Sequence, residues 1–270
     1  MIVLVPGFLQ APDDLAPLGE ALVGLGLPES RVDLLELTSG STWSEAARRL
    51  SERVSSSIAP VFLVGYSMGA RLALAVATCA PSQLAGLVLL SGSPGLEDES
   101  ARSARRALDE ERAQALLRDA EGFLSSWEQL PMFAPFRATP AFRALAKERR
   151  LHIRDERAAA WVHVLRALSP GAMPSLWPSL GALEVPTLLL AGALDEAYVD
   201  IAARARALLP NSRVGVLPGV GHVLPLEAPD EVARRIAAFL VDGAERGQFT
   251  AGVEGVKTPP PNQSLPQESQ

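Results

Sequence analysis

The sequence contains a single cysteine, no long apolar run and no excess of basic residues. Cys79 has no second cysteine to pair with, so a disulfide framework and a cysteine-based metal site are excluded, and a reducing, cytoplasmic location is expected. No run reaches the roughly 18 apolar residues of a membrane span, and the apolar start at residues 1–5 is too short for a secretion signal. The formal net charge of -6 argues against nucleic-acid binding.

The 270 residues, 48% of them hydrophobic, suit one catalytic unit with a large core. Short apolar runs alternate with helical patterns, which is typical of βαβ units that build a mostly parallel sheet. The third, fourth and fifth runs are apolar almost throughout and are expected to be central strands. The six runs cover residues 2–5, 31–37, 61–64, 87–90, 187–190 and 213–217.

The alternation stops after the fourth predicted strand, where the sequence becomes charged and helix-forming. This predicts a helical cap at residues 94–177, inserted into a core made of residues 1–93 and 178–242. Such a cap would lie over the carboxyl ends of the strands, where open α/β sheets bind their ligands. Residues 243–270 are rich in Pro, Gln and Ser and are predicted to be a disordered tail.

The segment Gly65-Tyr66-Ser67-Met68-Gly69 fits the G-x-S-x-G nucleophile elbow. A predicted strand precedes it and a helical pattern follows it, which is the context that this motif requires. Small residues are needed beside Ser67 because strand and helix must pass closely at a strained turn. A glycine turn with an idle serine is the alternative.

A serine hydroxyl needs an imidazole within hydrogen-bond reach and a carboxylate that orients the imidazole. His152 and His163 fall in the predicted cap, whereas His222 follows the last predicted strand. Asp195 follows the strand before it, and the chain order Ser, Asp, His is that of this motif. A loop histidine bonded to the backbone and an aspartate that caps a helix remain the alternatives.

Two further features bear on the chemistry. Phe8, after the first strand, is placed to form an oxyanion hole with Met68 through the two backbone N–H groups, although a simple strand-ending turn is an equal alternative. Arg71 lies one helical turn beyond Ser67, where its guanidinium could bind a substrate carboxylate. A surface ion pair is the other interpretation of Arg71.

The sequence resembles the family of 2-succinyl-6-hydroxy-2,4-cyclohexadiene-1-carboxylate synthases, which are α/β-hydrolase-fold lyases of menaquinone biosynthesis. The resemblance runs from about Val3 to Leu240, and its cap segments are more specific than the elbow. It rests on Gly65-Tyr66-Ser67-Met68-Gly69-Ala70-Arg71, Ser93-Pro94-Gly95-Leu96, Phe123-Leu124-Ser125-Ser126-Trp127, Leu130-Pro131-Met132-Phe133 and Met173-Pro174-Ser175-Leu176-Trp177.

The resemblance implies an α/β-hydrolase fold and elimination of pyruvate from 2-succinyl-5-enolpyruvyl-6-hydroxy-3-cyclohexene-1-carboxylate, without cofactor or metal. It implies that Ser67, activated by His222 and Asp195, is the base, and that the oxyanion hole stabilises an enolate. The implied substrate-binding residues are Tyr66, Arg71, Arg105, Trp127 and Arg150, with Arg154 as the alternative match for the last.

Two other functions remain open from the sequence. A carboxylesterase or C–C bond hydrolase would use the same triad through an acyl-enzyme on Ser67, but would leave the arginines unexplained. A non-catalytic binding protein of this fold would need none of the three residues. The expected partner is a small anionic substrate, with no nucleic acid and no membrane, and the chain is expected to be a monomer or a small homo-oligomer.

Overall fold

The computed structural model describes residues 1–153, 155–246 and 256. Its strands form one six-stranded sheet in the order β2-β1-β3-β4-β5-β6, and every pair of neighbours is parallel. The predicted α/β fold is therefore confirmed. The strands are β1 (Ile2–Val5), β2 (Glu29–Arg31), β3 (Val61–Tyr66), β4 (Leu84–Leu90), β5 (Thr187–Gly192) and β6 (Ser212–Leu217).

Alternate residues of the central strands enter two separate cores, because side chains of a strand point to opposite faces. On one face Leu63 and Leu89 pack with residues of α3 and α4 and of the cap. On the other face Phe62 and Val88 pack with residues of α1 and α12. The helices of the core are α1 (Ala16–Gly24), α3 (Trp43–Ser55), α4 (Met68–Cys79), α10 (Glu196–Leu208), α11 (Leu224–Glu227) and α12 (Pro229–Glu245).

The predicted strand at residues 31–37 is wrong for most of its length. The strand β2 ends at Arg31, and α2 (Leu34–Thr38) follows it. Asp33 starts this helix, since its carboxylate accepts the backbone N–H of Leu35 at 2.7 Å. Leu34 and Leu37 are both buried, which is the i, i+3 spacing of a helix face.

Between β4 and β5 the described residues contain helices and no strand. Asp119 and Thr139 begin two of the helices, because their side chains accept N–H groups of the first turn. The cap helices are α5 (Glu99–Arg118), α6 (Ala120–Glu128), α7 (Ala134–Arg137), α8 (Pro140–His152) and α9 (Asp155–Leu168), and the 3₁₀ turns of this region are Pro131–Phe133 and Trp177–Ala182.

The last core helix, α12, continues to Glu245, so residues 243–245 of the predicted tail are helical. The rest of that tail lies outside the described residues, apart from Arg246 and Val256. Among the helices that the structure describes, none is both long enough and apolar enough to cross a membrane.

Candidate active site

Ser67 occupies a strained turn between β3 and α4, with φ of 52° and ψ of -106°. The turn brings backbones so close that glycine is required on both sides of Ser67. A Cβ atom at Gly65 would lie 2.5 Å from the Gly69 carbonyl oxygen, and one at Gly69 would lie 2.2 Å from the Val5 carbonyl oxygen. The glycines of the motif therefore allow the strand, the helix and β1 to meet at Ser67.

Gly69→Ala is expected to lower the free energy of unfolding by about 2–4 kcal/mol, because the added methyl group would overlap backbone that cannot move aside easily. Chemical denaturation measures the change. Gly181→Ala is the matched control, since no described heavy atom lies within 4 Å of its Cβ position; it should change stability by less than about 0.5 kcal/mol. Equal effects of the two substitutions would contradict the close approach at Gly69.

His222 lies between Ser67 and Asp195. Its Nδ1 is 2.6 Å from Asp195 Oδ2, and its Nε2 is 3.0 Å from Ser67 Oγ. With Nδ1 protonated and donating to Asp195, Nε2 accepts the hydroxyl hydrogen of Ser67. Asp195 stands at the N-cap position of α10 but makes no side-chain capping bond, so its carboxylate serves His222 instead. Both His222 and Asp195 are buried.

The loop that carries His222 is held by a half-buried carboxylate that the sequence did not reveal. Glu227 accepts the backbone N–H of Gly221 at 2.7 Å and that of Val223 at 2.8 Å, one on each side of His222. The ring of Tyr198 packs edge-on against the imidazole, with the ring centres 4.7 Å apart. These contacts fix the position of the imidazole before any ligand binds.

Ser67 and His222 open onto a cavity of about 150 Å³ beneath the cap. Phe8 and Met68, which were predicted to form an oxyanion hole, both line it, as do Tyr66 and Trp127. The loop after β1 is held from within, since the Gly7 N–H donates to the buried side chain of Gln10 at 2.9 Å. The structure thus brings Phe8, Met68 and Ser67 to one cavity.

Four arginines line the same cavity: Arg71, Arg105, Arg112 and Arg149. Arg71 is buried, and burial lowers its pKa to about 10. Its Nη2 donates to the Leu168 carbonyl oxygen at 3.1 Å, and its Nε has no hydrogen-bond partner among the described residues. Burial also lowers the pKa of Arg149. A cavity with this many guanidinium groups is suited to an anion.

Comparison with known proteins shows the family of the chain. The model of the alpha/beta hydrolase family matches residues 2–235. A 2-succinyl-6-hydroxy-2,4-cyclohexadiene-1-carboxylate synthase from Enterobacter sp. (strain 638) is 33% identical over 188 residues, which cover 69% of each chain. The chain belongs to the alpha/beta hydrolase family. A Bacillus subtilis (strain 168) protein, provisionally named as the same synthase, is 34% identical over 67% of this chain and 65% of its own length. The chain therefore spans slightly less than two thirds of that relative.

Solved structures also resemble the chain over most of its length. The structure described as MenH from S. aureus superposes with a TM-score of 0.79 at 29% identity, covering 89% of this chain and 93% of that one. A thermophilic esterase from Thermogutta terrifontis superposes less well, with a TM-score of 0.66 at 25% identity and coverage of 89% of each chain.

The residues that the synthase resemblance implied for substrate binding fall in different places. Tyr66, Arg71, Arg105 and Trp127 line the cavity. Arg150 does not, because one position along α8 rotates a side chain by about 100°, and its neighbour Arg149 occupies the cavity wall instead. The guanidinium of Arg150 binds both carboxylate oxygens of Glu128, at 3.0 and 2.6 Å. The alternative match, Arg154, lies outside the described residues.

Arg150→Met is expected to raise KM for an anionic substrate about tenfold. Glu128 lines the cavity and its side chain is 5% exposed. Without Arg150, its charge would face the substrate unpaired. Steady-state kinetics measure the change. Adding Glu128→Gln to Arg150→Met should restore KM, because it removes the repelling charge. A double variant as impaired as Arg150→Met alone would contradict this electrostatic role.

Proposed function

We propose that the chain is a lyase that eliminates pyruvate from 2-succinyl-5-enolpyruvyl-6-hydroxy-3-cyclohexene-1-carboxylate to give 2-succinyl-6-hydroxy-2,4-cyclohexadiene-1-carboxylate, and that it acts in the cytoplasm. The observation that carries the proposal is the placement of four guanidinium groups around the cavity onto which Ser67 and His222 open. Named relatives that share most of the chain support the same activity.

The charge of the cavity favours this substrate over a neutral ester. The substrate carries three carboxylates, and each anion removed from water needs a charged partner. The Nε of Arg71 has no hydrogen-bond partner among the described residues. With a pKa of about 10, the guanidinium remains protonated at neutral pH. Arg105 is already held by the buried Asp109 at 2.7 Å, so its position is set in advance.

The reaction begins with proton transfer within the triad. Ser67 Oγ passes its proton to His222 Nε2, and the serine oxygen then accepts a proton from the carbon beside the succinyl carbonyl. Electrons of that C–H bond move through the ring, and the C–O bond to the enolpyruvyl group breaks. The leaving enolpyruvate takes up the proton held on His222 Nε2 and becomes pyruvate. Ser67 keeps the proton from the substrate, so the triad returns to its starting state. Asp195 stabilises the imidazolium formed in between.

Negative charge develops on the succinyl carbonyl oxygen as the proton leaves. The backbone N–H groups of Phe8 and Met68 are the donors proposed for this enolate oxygen. The Phe8 ring is fixed by two edge-on contacts, with Trp127 at 5.2 Å and Trp161 at 5.6 Å between ring centres. The packing of Phe8 therefore limits movement of the loop that would donate the first of these hydrogen bonds.

The decisive experiment mixes the purified protein with the enolpyruvyl cyclohexene substrate and follows pyruvate with lactate dehydrogenase and NADH. Pyruvate release that depends on the protein is the expected result. p-Nitrophenyl esters of short acids are the comparison substrates and should be turned over weakly or not at all. Rapid ester hydrolysis without pyruvate release would favour a carboxylesterase or C–C bond hydrolase that acts through an acyl-enzyme on Ser67.

A further inference from the structure

A groove on the outside of the cap lies directly against the active-site cavity. It runs between α5 and α6, has a volume of about 520 Å³ and is open to solvent. Arg112, Trp127 and Leu130 line both the groove and the cavity, so these three residues form the wall between them. All three are partly exposed, whereas Arg71 and His222, deeper in the cavity, are buried.

We propose that the substrate enters through this groove and that Arg112, at its inner end, selects for anions. The groove itself provides no such selection. Arg118 is outnumbered there by Glu111 and Asp119, so the outer part of the groove does not attract an anion. Arg112 is the arginine of the groove that also lines the cavity.

Arg112 is held loosely enough to take part in entry. Its side chain is 23% exposed, and a hydrogen bond of 3.1 Å joins its Nη1 to Asp109, which also binds Arg105. The guanidinium lies over the Trp127 ring, 5.4 Å from the ring centre. Contact with a ring face leaves the edge of the guanidinium able to meet a carboxylate. An anion that reaches the wall can thus exchange from Arg112 to the arginines inside.

A second opening adjoins the cavity at Arg149. A small pocket beside Arg149, lined also by Leu9 and His152, shares that arginine with the active site. Its volume is about 40 Å³, against about 520 Å³ for the groove. The proposed route uses the larger of the two, which leaves more room for a substrate with three carboxylates.

The test measures access to position 67 without any turnover, so it does not depend on the lyase activity. Ser67→Cys is made in a Cys79→Ala background, because the native cysteine is exposed and would react as well. Alkylation of the thiol at position 67 by iodoacetamide, which is neutral, and iodoacetate, which is anionic, is followed by mass spectrometry of the peptide. The two reagents separate access from charge selection.

Two adjacent serines of α6 provide a matched pair of variants for access. Both are exposed, and each hydroxyl donates to the carbonyl four residues earlier, at 2.9 Å for Ser125 and 3.0 Å for Ser126. Ser126 lines the groove and Ser125 does not. Ser126→Trp is expected to slow alkylation by both reagents about tenfold, and Ser125→Trp to leave the rates unchanged. Equal rates in the two variants would overturn the route, and slowing by His152→Trp instead would assign entry to the pocket at Arg149.

The charge of Arg112 is tested in the same background. Arg112→Met should lower the ratio of the iodoacetate rate to the iodoacetamide rate about fivefold, and Arg112→Lys should preserve it. An unchanged ratio in Arg112→Met would overturn the selection for anions. The proposal rests on the proposed function only in taking the substrate to be an anion. If no pyruvate were released but these alkylation differences were observed, the proposed lyase activity would be wrong and the proposed entry route would still be supported.

Discussion

Replacing Ser67 with alanine is expected to lower kcat for pyruvate release by about 10³-fold or more. The variant lacks the oxygen that accepts the substrate proton, and His222 Nε2 is 3.0 Å from that oxygen on the side facing the cavity. The Ser67 N–H donates to the Leu90 carbonyl oxygen at 2.9 Å, and this backbone bond is kept in the variant. Thermal unfolding should therefore change little while the coupled pyruvate assay loses its signal.

Two further variants serve as controls for Ser67→Ala: the single variant His222→Ala, and the double variant that combines both substitutions. Because the two residues act in one proton transfer, the double variant should be about as impaired as either single variant. Losses that multiply would show that Ser67 and His222 work in separate steps. A non-catalytic binding protein would release no pyruvate even as the wild type, and its other properties would be the same in all three variants.

The triad geometry could be predicted because each residue lies at the carboxyl end of a parallel strand. Ser67, Asp195 and His222 follow β3, β5 and β6, whose apolar runs are visible in the sequence. Carboxyl ends of parallel strands meet at one edge of a sheet, so three local predictions place three distant residues together. The parallel sheet fixes the relative positions of the strand ends, so only the strands themselves have to be identified from the sequence.

The cap offers no such register, and its residues were harder to place. Choosing between Arg149 and Arg150 requires the rotation of α8 to within one residue, which is about 100°. Sequence spacing alone does not give this rotation, because charged residues occur on several faces of the helix. Arg112 and Asp109 were missed for the same reason. The sequence does contain a signal for them, because Asp109 lies four residues after Arg105 and three before Arg112, and both spacings put side chains on one helix face.

The wrong strand at residues 31–37 has a different cause. The strand that forms nearby, β2, consists of Glu29, Ser30 and Arg31, which carry no apolar signal. It pairs with β1 alone, at the edge of the sheet, so its side chains are half-buried rather than buried. The apolar residues that followed belong to a short helix, and short apolar runs do not distinguish the two structures.

Arg71→Met is expected to raise KM for the proposed substrate about 10²-fold, with a smaller change in kcat. The guanidinium lies one helical turn from Ser67 in the cavity wall, and it is 5% exposed. Its loss would leave a substrate carboxylate without its partner in a buried part of the cavity. Stability should hold or increase, because burial disfavours the charge that the substitution removes.

The pH dependence of KM separates the charge of Arg71 from its shape. With a pKa of about 10, Arg71 loses its proton within reach of an alkaline titration, so KM of the wild-type protein should rise above pH 10. The unfolded chain binds this proton more tightly, so the contribution of Arg71 to stability increases as the pH rises through that range. Arg71→Met should remove both pH effects. Arg71→Lys keeps a charge without the planar fork, so its KM at neutral pH should lie between those of the wild type and Arg71→Met. A KM that is the same in Arg71→Met and wild type at pH 7 would show that Arg71 binds no substrate carboxylate.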